Sequence, residues 1–237
     1  MPVYRLSSEL IFPPPDLAMK EGLLAVGGDL SVSRLLLAYA NGIFPWYSSG
    51  EPILWWSPDP RLVLYPGELT LSRRLNRTLR QGRFRVTCDR AFEQVIRKCA
   101  SVPRNDQDGT WITEEMIFAY TELHRAGFAH SIETWQNSRL VGGIYGVSLG
   151  RCFFGESMFH RVSDASTVAL VSLVRQVAEW HFDLIDCQVT TNHLLRMGAR
   201  EISRDRFLRQ LNRSLKYPTR RGKWILENDD NVCGGKK

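Results

Sequence analysis

Residues 129–189 of the chain, AHSIETWQNSRLVGGIYGVSLGRCFFGESMFHRVSDASTVALVSLVRQVAEWHFDLIDCQV, decide the predicted fold. They contain three segments typical of strands, one typical of a helix and a further strand, in the order 129–136, 139–148, 151–159, 164–180 and Leu184–Val189. Short turns at Asn137-Ser138 and Leu149-Gly150 separate the first three strands, which predicts antiparallel hairpins. A meander of three strands, a helix and another strand is an α+β arrangement.

Outside this stretch the sequence predicts mainly helices. They lie at 31–40, 72–81, 90–100, 113–126, 192–197 and 204–215, with one more strand at 84–88. Ser31 and Thr113 are suited to cap two of the helices, because their hydroxyls can accept free amide protons of a first turn. Residues 1–62 are rich in Pro and Trp and poor in regular periodicity.

Pro60 and its neighbours form a plausible domain boundary. We therefore predict a small N-terminal domain over 1–62 and a second domain over 63–237, with disorder in the last ten residues, NDDNVCGGKK. The order of elements in the second domain is similar to the core of the N-acetyltransferase (GNAT) fold. That likeness concerns the fold and not the function.

The charge distribution is uneven along the chain. Lys and Arg number 31 against 25 Asp and Glu, a net charge of +6, yet residues 1–62 hold four basic and six acidic side chains. Arginines concentrate at 73–90, and arginines and lysines together at 196–223. Such blocks attract a phosphate backbone, and they are equally typical of a solvated helix face without a partner. Charge alone leaves both interpretations open.

Several classes of protein are disfavoured by what the sequence lacks. The five cysteines are odd in number and show no CxxC or zinc spacing, which predicts free thiols in a reducing cytoplasm. We expect no signal peptide and no membrane span, because neither pattern occurs. No P-loop or GxSxG motif is present, and the link GESMFHRVSDAS has no glycine-rich run to hold the pyrophosphate of an acyl-CoA. The five histidines show no metal spacing.

Polar residues inside predicted strands are the candidates for chemistry. Asp186 and Gln188 are expected to share one face of a strand, because side chains alternate along it. They form either a satisfied polar pair at a strand end or a pair that holds and deprotonates a nucleophile. Glu156 is either an ion-pair partner of an arginine or a binding group for a cationic substrate.

Four tryptophans lie in stretches flanked by Pro or Gly: Trp46, Trp55, Trp56 and Trp111. Nucleobases stack on such rings. Core packing is the alternative, and we favour it for Trp55 or Trp56.

With these residues assembled, the chain resembles the leucyl/phenylalanyl-tRNA–protein transferase family. The stretches that carry the resemblance run from near residue 22 to about 207 in the family's order: Gly22–Leu30 (GLLAVGGDL), Gly42–Trp46 (GIFPW), Leu54–Arg61 (LWWSPDPR), Gly109–Ile112 (GTWI), His130–Glu133 (HSIE), Leu140–Gly143 (LVGG), Phe154–Phe159 (FGESMF), Ile185–Val189 (IDCQV), His193 and Gly198-Ala199.

The resemblance implies transfer of Leu, Phe or Met from aminoacyl-tRNA to proteins with N-terminal Arg or Lys, which marks them for degradation. It implies no metal, nucleotide or coenzyme A, and a C-terminal domain with the N-acetyltransferase-like fold. Under this hypothesis Gln188, oriented by Asp186, accepts a hydrogen bond from the attacking amine, and Glu156 pairs with the positive charge of the acceptor. We expect a monomer.

The remaining expected sites also follow from the resemblance. The pocket for the aminoacyl side chain matches Ile144, Met158, Leu170, Leu173, Val177 and Ile185. Trp46 and Trp111 are expected to hold the terminal adenosine of the tRNA. The tRNA backbone is expected on Arg73, Arg74, Arg77, Arg80, Arg206 and Arg209. The alternatives are an acyl-CoA-dependent N-acetyltransferase and a non-catalytic RNA-binding module.

Overall fold

The computed structural model describes residues 3–102 and 111–226. The predicted disorder at 228–237 lies outside these residues, as do Gly109 and Thr110 of one family motif. The strands are β1 Tyr4–Leu6, β2 Leu23–Gly27, β3 Phe44–Pro45, β4 Leu54–Trp56, β5 Arg61–Leu64, β6 Arg85–Cys88, β7 Ala129–Gln136, β8 Arg139–Leu149, β9 Cys152–His160, β10 Leu184–Gln188 and β11 Arg200–Ile202. The α-helices are α1 Val32–Ala40, α2 Arg73–Arg80, α3 Phe92–Ala100, α4 Glu114–Arg125, α5 Ala165–Glu179, α6 Asn192–Arg196 and α7 Arg204–Ser214.

A seven-stranded sheet in the order β11-β5-β10-β9-β8-β7-β6 organises most of the chain. The strands β7, β8 and β9 form the predicted antiparallel meander. Helix α5 then carries the chain to β10, which pairs in parallel with β9. The predicted α+β class, with an acetyltransferase-like order of elements, is therefore confirmed.

Both faces of this sheet are covered by apolar side chains. Neighbouring residues of β9 illustrate the alternation, because Phe154 belongs to the cluster packed against α1, α3 and α4, and Phe153 to the cluster packed against α5. Helix α5 is buried along most of its length. The capping hydroxyls are where the sequence predicts them, since Ser31 accepts from the amide of Arg34 and Thr113 from that of Met116.

The N-terminal region contains a second, four-stranded sheet in the order β1-β2-β4-β3. In this region the sequence predicted α1 and none of the four strands. Strands of two to five residues are too short to show a period in the sequence. The predicted boundary at residue 62 falls inside β5, a strand of the larger sheet, and the division into 1–62 and 63–237 stays a prediction.

None of the helices in the described part of the chain combines the length and the apolar character needed to cross a bilayer.

Candidate active site

A cleft of about 420 Å³ opens where two parallel strands separate. The strands β9 and β10 pair only as far as Phe154 and Asp186, and the following residues of both strands line the cleft. Residues from both faces of the sheet therefore reach one opening. Its walls are formed by Phe44, Pro45, Trp46, Trp111, Ile144, Gly155, Glu156, Ser157, Met158, Leu170, Ile185, Cys187, Gln188, Val189, Thr191, His193 and Leu194.

Glu156 is the polar centre of this cleft. Its Oε1 accepts hydrogen bonds from the Tyr39 hydroxyl at 2.8 Å and from Gln188 Nε2 at 2.7 Å. Its Oε2 accepts from the Tyr120 hydroxyl at 3.1 Å, and the two tyrosine hydroxyls also contact each other. No arginine bonds to Glu156 among the described residues, so the first of our two interpretations, an arginine ion pair, is wrong.

The environment of Glu156 changes its acidity. Burial raises the pKa of the carboxyl to about 7, although the three hydrogen bonds oppose the shift. Burial, together with Glu156 itself, raises the pKa of Tyr39 and of Tyr120 well above the usual value, so both hydroxyls remain protonated donors. The site thus holds a carboxyl that changes charge near neutral pH beside two hydroxyls that do not.

The carboxamide of Gln188 is set in place through the main chain. A register shift interrupts β10 between Asp186 and Gln188, and Gln188 has a positive φ of 61°. The Gln188 amide donates to Asp186 Oδ1 at 2.9 Å, while its side chain reaches Glu156. The simple alternation that we used therefore does not describe this strand end. Asp186 contacts the backbone of Gln188 and not its carboxamide.

Asp186 forms a salt bridge with Arg61, a residue that was not predicted to belong to the site. Arg61 Nε and Nη2 donate to the two carboxylate oxygens at 2.8 and 2.7 Å, and both side chains are almost fully buried. The guanidinium lies over the rings of Phe44 and Phe207. A bidentate pair of this kind fixes the carboxylate, and through it the bend that carries Gln188.

The apolar side of the cleft contains four of the six predicted pocket residues: Ile144, Met158, Leu170 and Ile185. Leu173 and Val177 are not among its lining residues, and their expected place in the pocket for the aminoacyl side chain stays a prediction. Both are buried in the core beneath the sheet. They lie three and seven residues beyond Leu170 on α5, and only the first part of this helix reaches the opening.

The four tryptophans differ in their access to the cleft, and the expected contact of Trp46 and Trp111 with the terminal adenosine stays a prediction. Trp46 and Trp111 line the cleft, and the ring of Trp46 lies against Trp56 at a tilt. Trp55 is fully buried, and its Nε1 donates to Gly27 O.

The six arginines expected to bind tRNA lie outside the cleft. Arg73, Arg74, Arg77 and Arg80 are exposed on α2, whose opposite side buries Leu75. Arg206 and Arg209 are exposed on α7, which buries Phe207 and Leu211. Two of the six have acidic neighbours, since Arg74 approaches Asp164 and Arg209 pairs with Asp205.

Three residues that hold the polar groups of the site were not predicted from the sequence: Arg61, Tyr39 and Tyr120. The two tyrosines sit on the buried faces of α1 and α4, where a hydroxyl gives no signal of its own. Arg61 at the start of the apolar run Leu62–Leu64 was a usable signal, because a charged residue heading a buried strand needs a partner. Over the described residues, no group of three metal-ligating side chains is placed to hold an ion.

Comparison with known proteins identifies relatives along the whole chain. A family model described as "Leucyl/phenylalanyl-tRNA protein transferase" matches residues 63–212, and one described as "Leucyl/phenylalanyl-tRNA protein transferase N-terminal domain" matches 28–59. Proteins named leucyl/phenylalanyl-tRNA–protein transferase include one from Anaeromyxobacter sp. (strain Fw109-5), 61% identical over 99% of this chain and 100% of its own. Another, from Syntrophobacter fumaroxidans, is 59% identical over 100% of both chains.

Among solved structures, a GCN5-related N-acetyltransferase from Kribbella flavida is 9% identical, with a TM-score of 0.34. The match covers 71% of this chain and 60% of that one. A likeness this weak supports no functional comparison.

Proposed function

The chain belongs to the leucyl/phenylalanyl-tRNA–protein transferase family and is therefore an aminoacyltransferase, and from this premise we propose its substrates and the roles of its residues. It transfers Leu, Phe or Met from aminoacyl-tRNA to the α-amino group of proteins that begin with Arg or Lys, which marks them for degradation. One observation carries the proposal. A carboxyl with a pKa of about 7 lies in a cleft between an apolar slot and the Gln188 carboxamide.

The donor occupies the apolar part of the cleft. Ile144, Met158, Leu170 and Ile185 surround an unbranched or branched apolar side chain without offering it a hydrogen bond. Trp46 and Trp111 hold the terminal adenosine, since stacking of a base on an aromatic ring contributes about 1–3 kcal/mol. The ester carbon is thereby held between the slot and the polar centre.

The acceptor enters at Glu156. Its carboxylate attracts the positively charged N-terminal residue of the acceptor protein. Gln188 donates through Nε2 to Glu156, which leaves Oε1 to accept a hydrogen bond from the neutral α-amine. An α-amine has a pKa of roughly 7.7–8, so a modest shift makes it neutral at physiological pH.

The reaction itself is downhill, because an ester becomes an amide. The amine nitrogen attacks the ester carbonyl, a C–N bond forms, and the C–O bond to the ribose breaks. The proton lost by nitrogen balances the one gained by the ribose hydroxyl. The enzyme contributes orientation and a neutral nucleophile. Asp186 and Arg61 act as positioning residues, since they hold the bend of β10 that aims Gln188 into the cleft.

The tRNA body lies on exposed arginines. Arg73, Arg74, Arg77 and Arg80 of α2 and Arg206 and Arg209 of α7 contact phosphates, so binding is largely independent of sequence and weakens with salt. The protein acts as a monomer in the cytoplasm. Among the described residues, Cys152 and Cys187 form no disulfide, which supports a reducing compartment.

One assay tests these substrates. The protein is incubated with tRNA carrying labelled Leu, Phe or Met and with three peptides that differ only at the N-terminus: Arg, Glu, or Arg with an acetylated α-amine. Label should appear only in the peptide with a free N-terminal Arg.

Other outcomes favour the rival functions. Equal labelling of the Arg and Glu peptides would remove the role of Glu156 in acceptor choice. Binding of tRNA without any transfer would favour an RNA-binding module. Transfer of an acetyl group from acetyl-CoA would favour the acyl-CoA-dependent enzyme.

A further inference from the structure

We infer that a groove beside the cleft binds the single-stranded nucleotides that precede the terminal adenosine of the donor tRNA, with Arg161 and His160 as the contacting side chains. This inference rests on the proposed function and adds a subsite to it. We call this feature the connecting groove, and its lining includes Met158, His160, Arg161, Ser163, Asp164, Ser166 and His193.

The connecting groove joins two regions already described. It has a volume of about 690 Å³ and shares Met158 and His193 with the catalytic cleft. At its other side it shares Ser163 and Asp164 with the concavity beside α2, which Arg74 and Arg77 also line. A chain leaving the cleft along β9 therefore passes Arg161 before it meets the arginines of α2.

The charge of the groove suits a phosphodiester chain. Arg161 is exposed, and its side chain has no ion pair or hydrogen bond within the described ranges. Asp164 is the single acidic residue in the described lining, and it already accepts from Thr78 Oγ1 at 3.0 Å and approaches Arg74. An acceptor protein with a cationic N-terminus gains nothing from such a path, whereas phosphates are attracted along it.

The dimensions and side chains also fit single-stranded RNA. From Glu156 to His160 the strand advances four residues, about 13 Å. This length is sufficient for two stacked nucleotides, which together rise about 7 Å. Histidine rings and arginine planes are surfaces on which unpaired bases stack, and hydroxyls such as that of Ser166 bind phosphate oxygens.

Donors of increasing length test the inference. They are 3′-O-leucyl-adenosine, a leucylated trinucleotide ending in cytidine, cytidine and adenosine, and leucyl-tRNA, each offered with the same Arg-peptide. Arg161→Gln should raise KM about fivefold for the trinucleotide and for tRNA, the effect of losing one exposed charge contact. It should leave kcat/KM for leucyl-adenosine within twofold of the wild-type value. His160→Ala should show the same dependence on donor length.

Matched variants keep the result interpretable. Arg161→Lys should recover most of the loss, because it retains the charge. Arg175→Gln removes an exposed arginine of α5 that lines none of these concavities, and it should change no donor's KM. Equal thermal melting of all variants excludes a general loss of structure.

Three outcomes would overturn the inference. The first is a wild-type enzyme that uses the trinucleotide no better than leucyl-adenosine. The second is a higher KM for the peptide with every donor in Arg161→Gln, which would assign the groove to the acceptor protein. The third, transfer from none of the donors by the wild-type enzyme, would remove the proposed function and this inference with it, whereas the first two leave the proposed function standing.

Discussion

Two glutamates of the same sheet, half-buried Glu156 on β9 and fully buried Glu133 on β7, have similar hydrogen-bond partners but differ in their access to the cleft. Glu133 accepts hydrogen bonds from Ser131 Oγ, Thr87 Oγ1 and the amide of Ala91. Glu156 also accepts three, and burial raises the pKa of both carboxyls.

The two glutamates differ in where their hydrogen-bond donors lie. Every group that holds Glu133 comes from β6, β7 or the start of α3, and Glu133 itself is fully buried. Glu156 is held by tyrosines from two helices and by Gln188 at a strand end, and it lines an open cleft. Burial and a shifted pKa therefore do not identify a catalytic carboxyl unless a cleft gives substrate access to it.

Asp186 is a buried carboxylate of a third kind, because an arginine neutralises its charge. Arg61→Met should destabilise the protein by about 3–5 kcal/mol, since it leaves Asp186 buried and unpaired. The free energy of unfolding in urea measures the loss. In the double variant Arg61→Met with Asp186→Leu, much of the stability should return. A single variant as stable as the wild type would show that the pair does not hold this end of the sheet.

Glu156→Gln is expected to lose most of the activity while the protein remains folded. We expect kcat/KM for an Arg-peptide to fall about 100-fold or more, because the acceptor's positive charge loses its partner and a titratable group leaves the cleft. Steady-state kinetics with leucyl-tRNA measure the change.

The same substitution has a defined effect on stability. In the wild type, the raised pKa of Glu156 gives a contribution to stability that is complete below about pH 4.5 and is lost as the pH rises through about 7. Gln carries no charge, so Glu156→Gln should remove this part of the pH dependence, and its melting temperature should fall less between pH 5 and pH 8 than that of the wild type. A variant whose melting temperature falls as steeply as that of the wild type over this range would contradict the assignment of burial as the cause.

Glu133→Gln is expected to lower the stability of the protein and to leave its activity nearly unchanged. The substitution replaces an acceptor with a donor against Ser131 and Thr87 hydroxyls, and it should cost about 1–3 kcal/mol of stability. Activity measured below the melting transition should stay within a few-fold of the wild type. A 100-fold loss of kcat/KM at unchanged stability would erase the distinction between the two glutamates.

The smallest expected effect concerns the pH profile. The Tyr120 hydroxyl is one of the hydrogen bonds that lower the pKa of Glu156, so Tyr120→Phe should move that pKa further above 7. The rising limb of kcat/KM against pH should shift upward by less than about one unit. The titration of the peptide's α-amine is common to both enzymes and serves as the internal reference. A downward shift would contradict the hydrogen-bonding role of the hydroxyl.

Local patterns were sufficient to predict most of the large sheet and its helices. Helices with a capping hydroxyl and an apolar stripe, such as α1 and α4, lie where their periodicity predicted them. The N-terminal sheet was missed because its strands are too short to have a period.

The site was predicted in part, for a different reason. Glu156, Gln188, Trp46 and Trp111 line one cleft, and their roles there stay predictions. Their supports do not follow from local sequence, since the Arg61–Asp186 pair joins residues 125 positions apart and the Tyr39–Glu156 bond joins residues 117 apart. The place of Leu173 could not be predicted from its period either, because helical spacing shows which residues share a face and not how far a cavity extends along it.

The hydroxyl of Tyr39 has a consequence for how such enzymes can be recombined. It belongs to the segment 28–59 that matches the N-terminal family model, as do Phe44, Pro45 and Trp46, which wall the cleft. Exchanging this segment between relatives would therefore exchange part of the cleft together with strands β3 and β4 of the N-terminal sheet. Hybrids made this way would exchange one hydrogen-bond donor of Glu156 and one wall of the cleft in a single step, while Ile144, Met158, Leu170 and Ile185 of the proposed donor slot would stay unchanged.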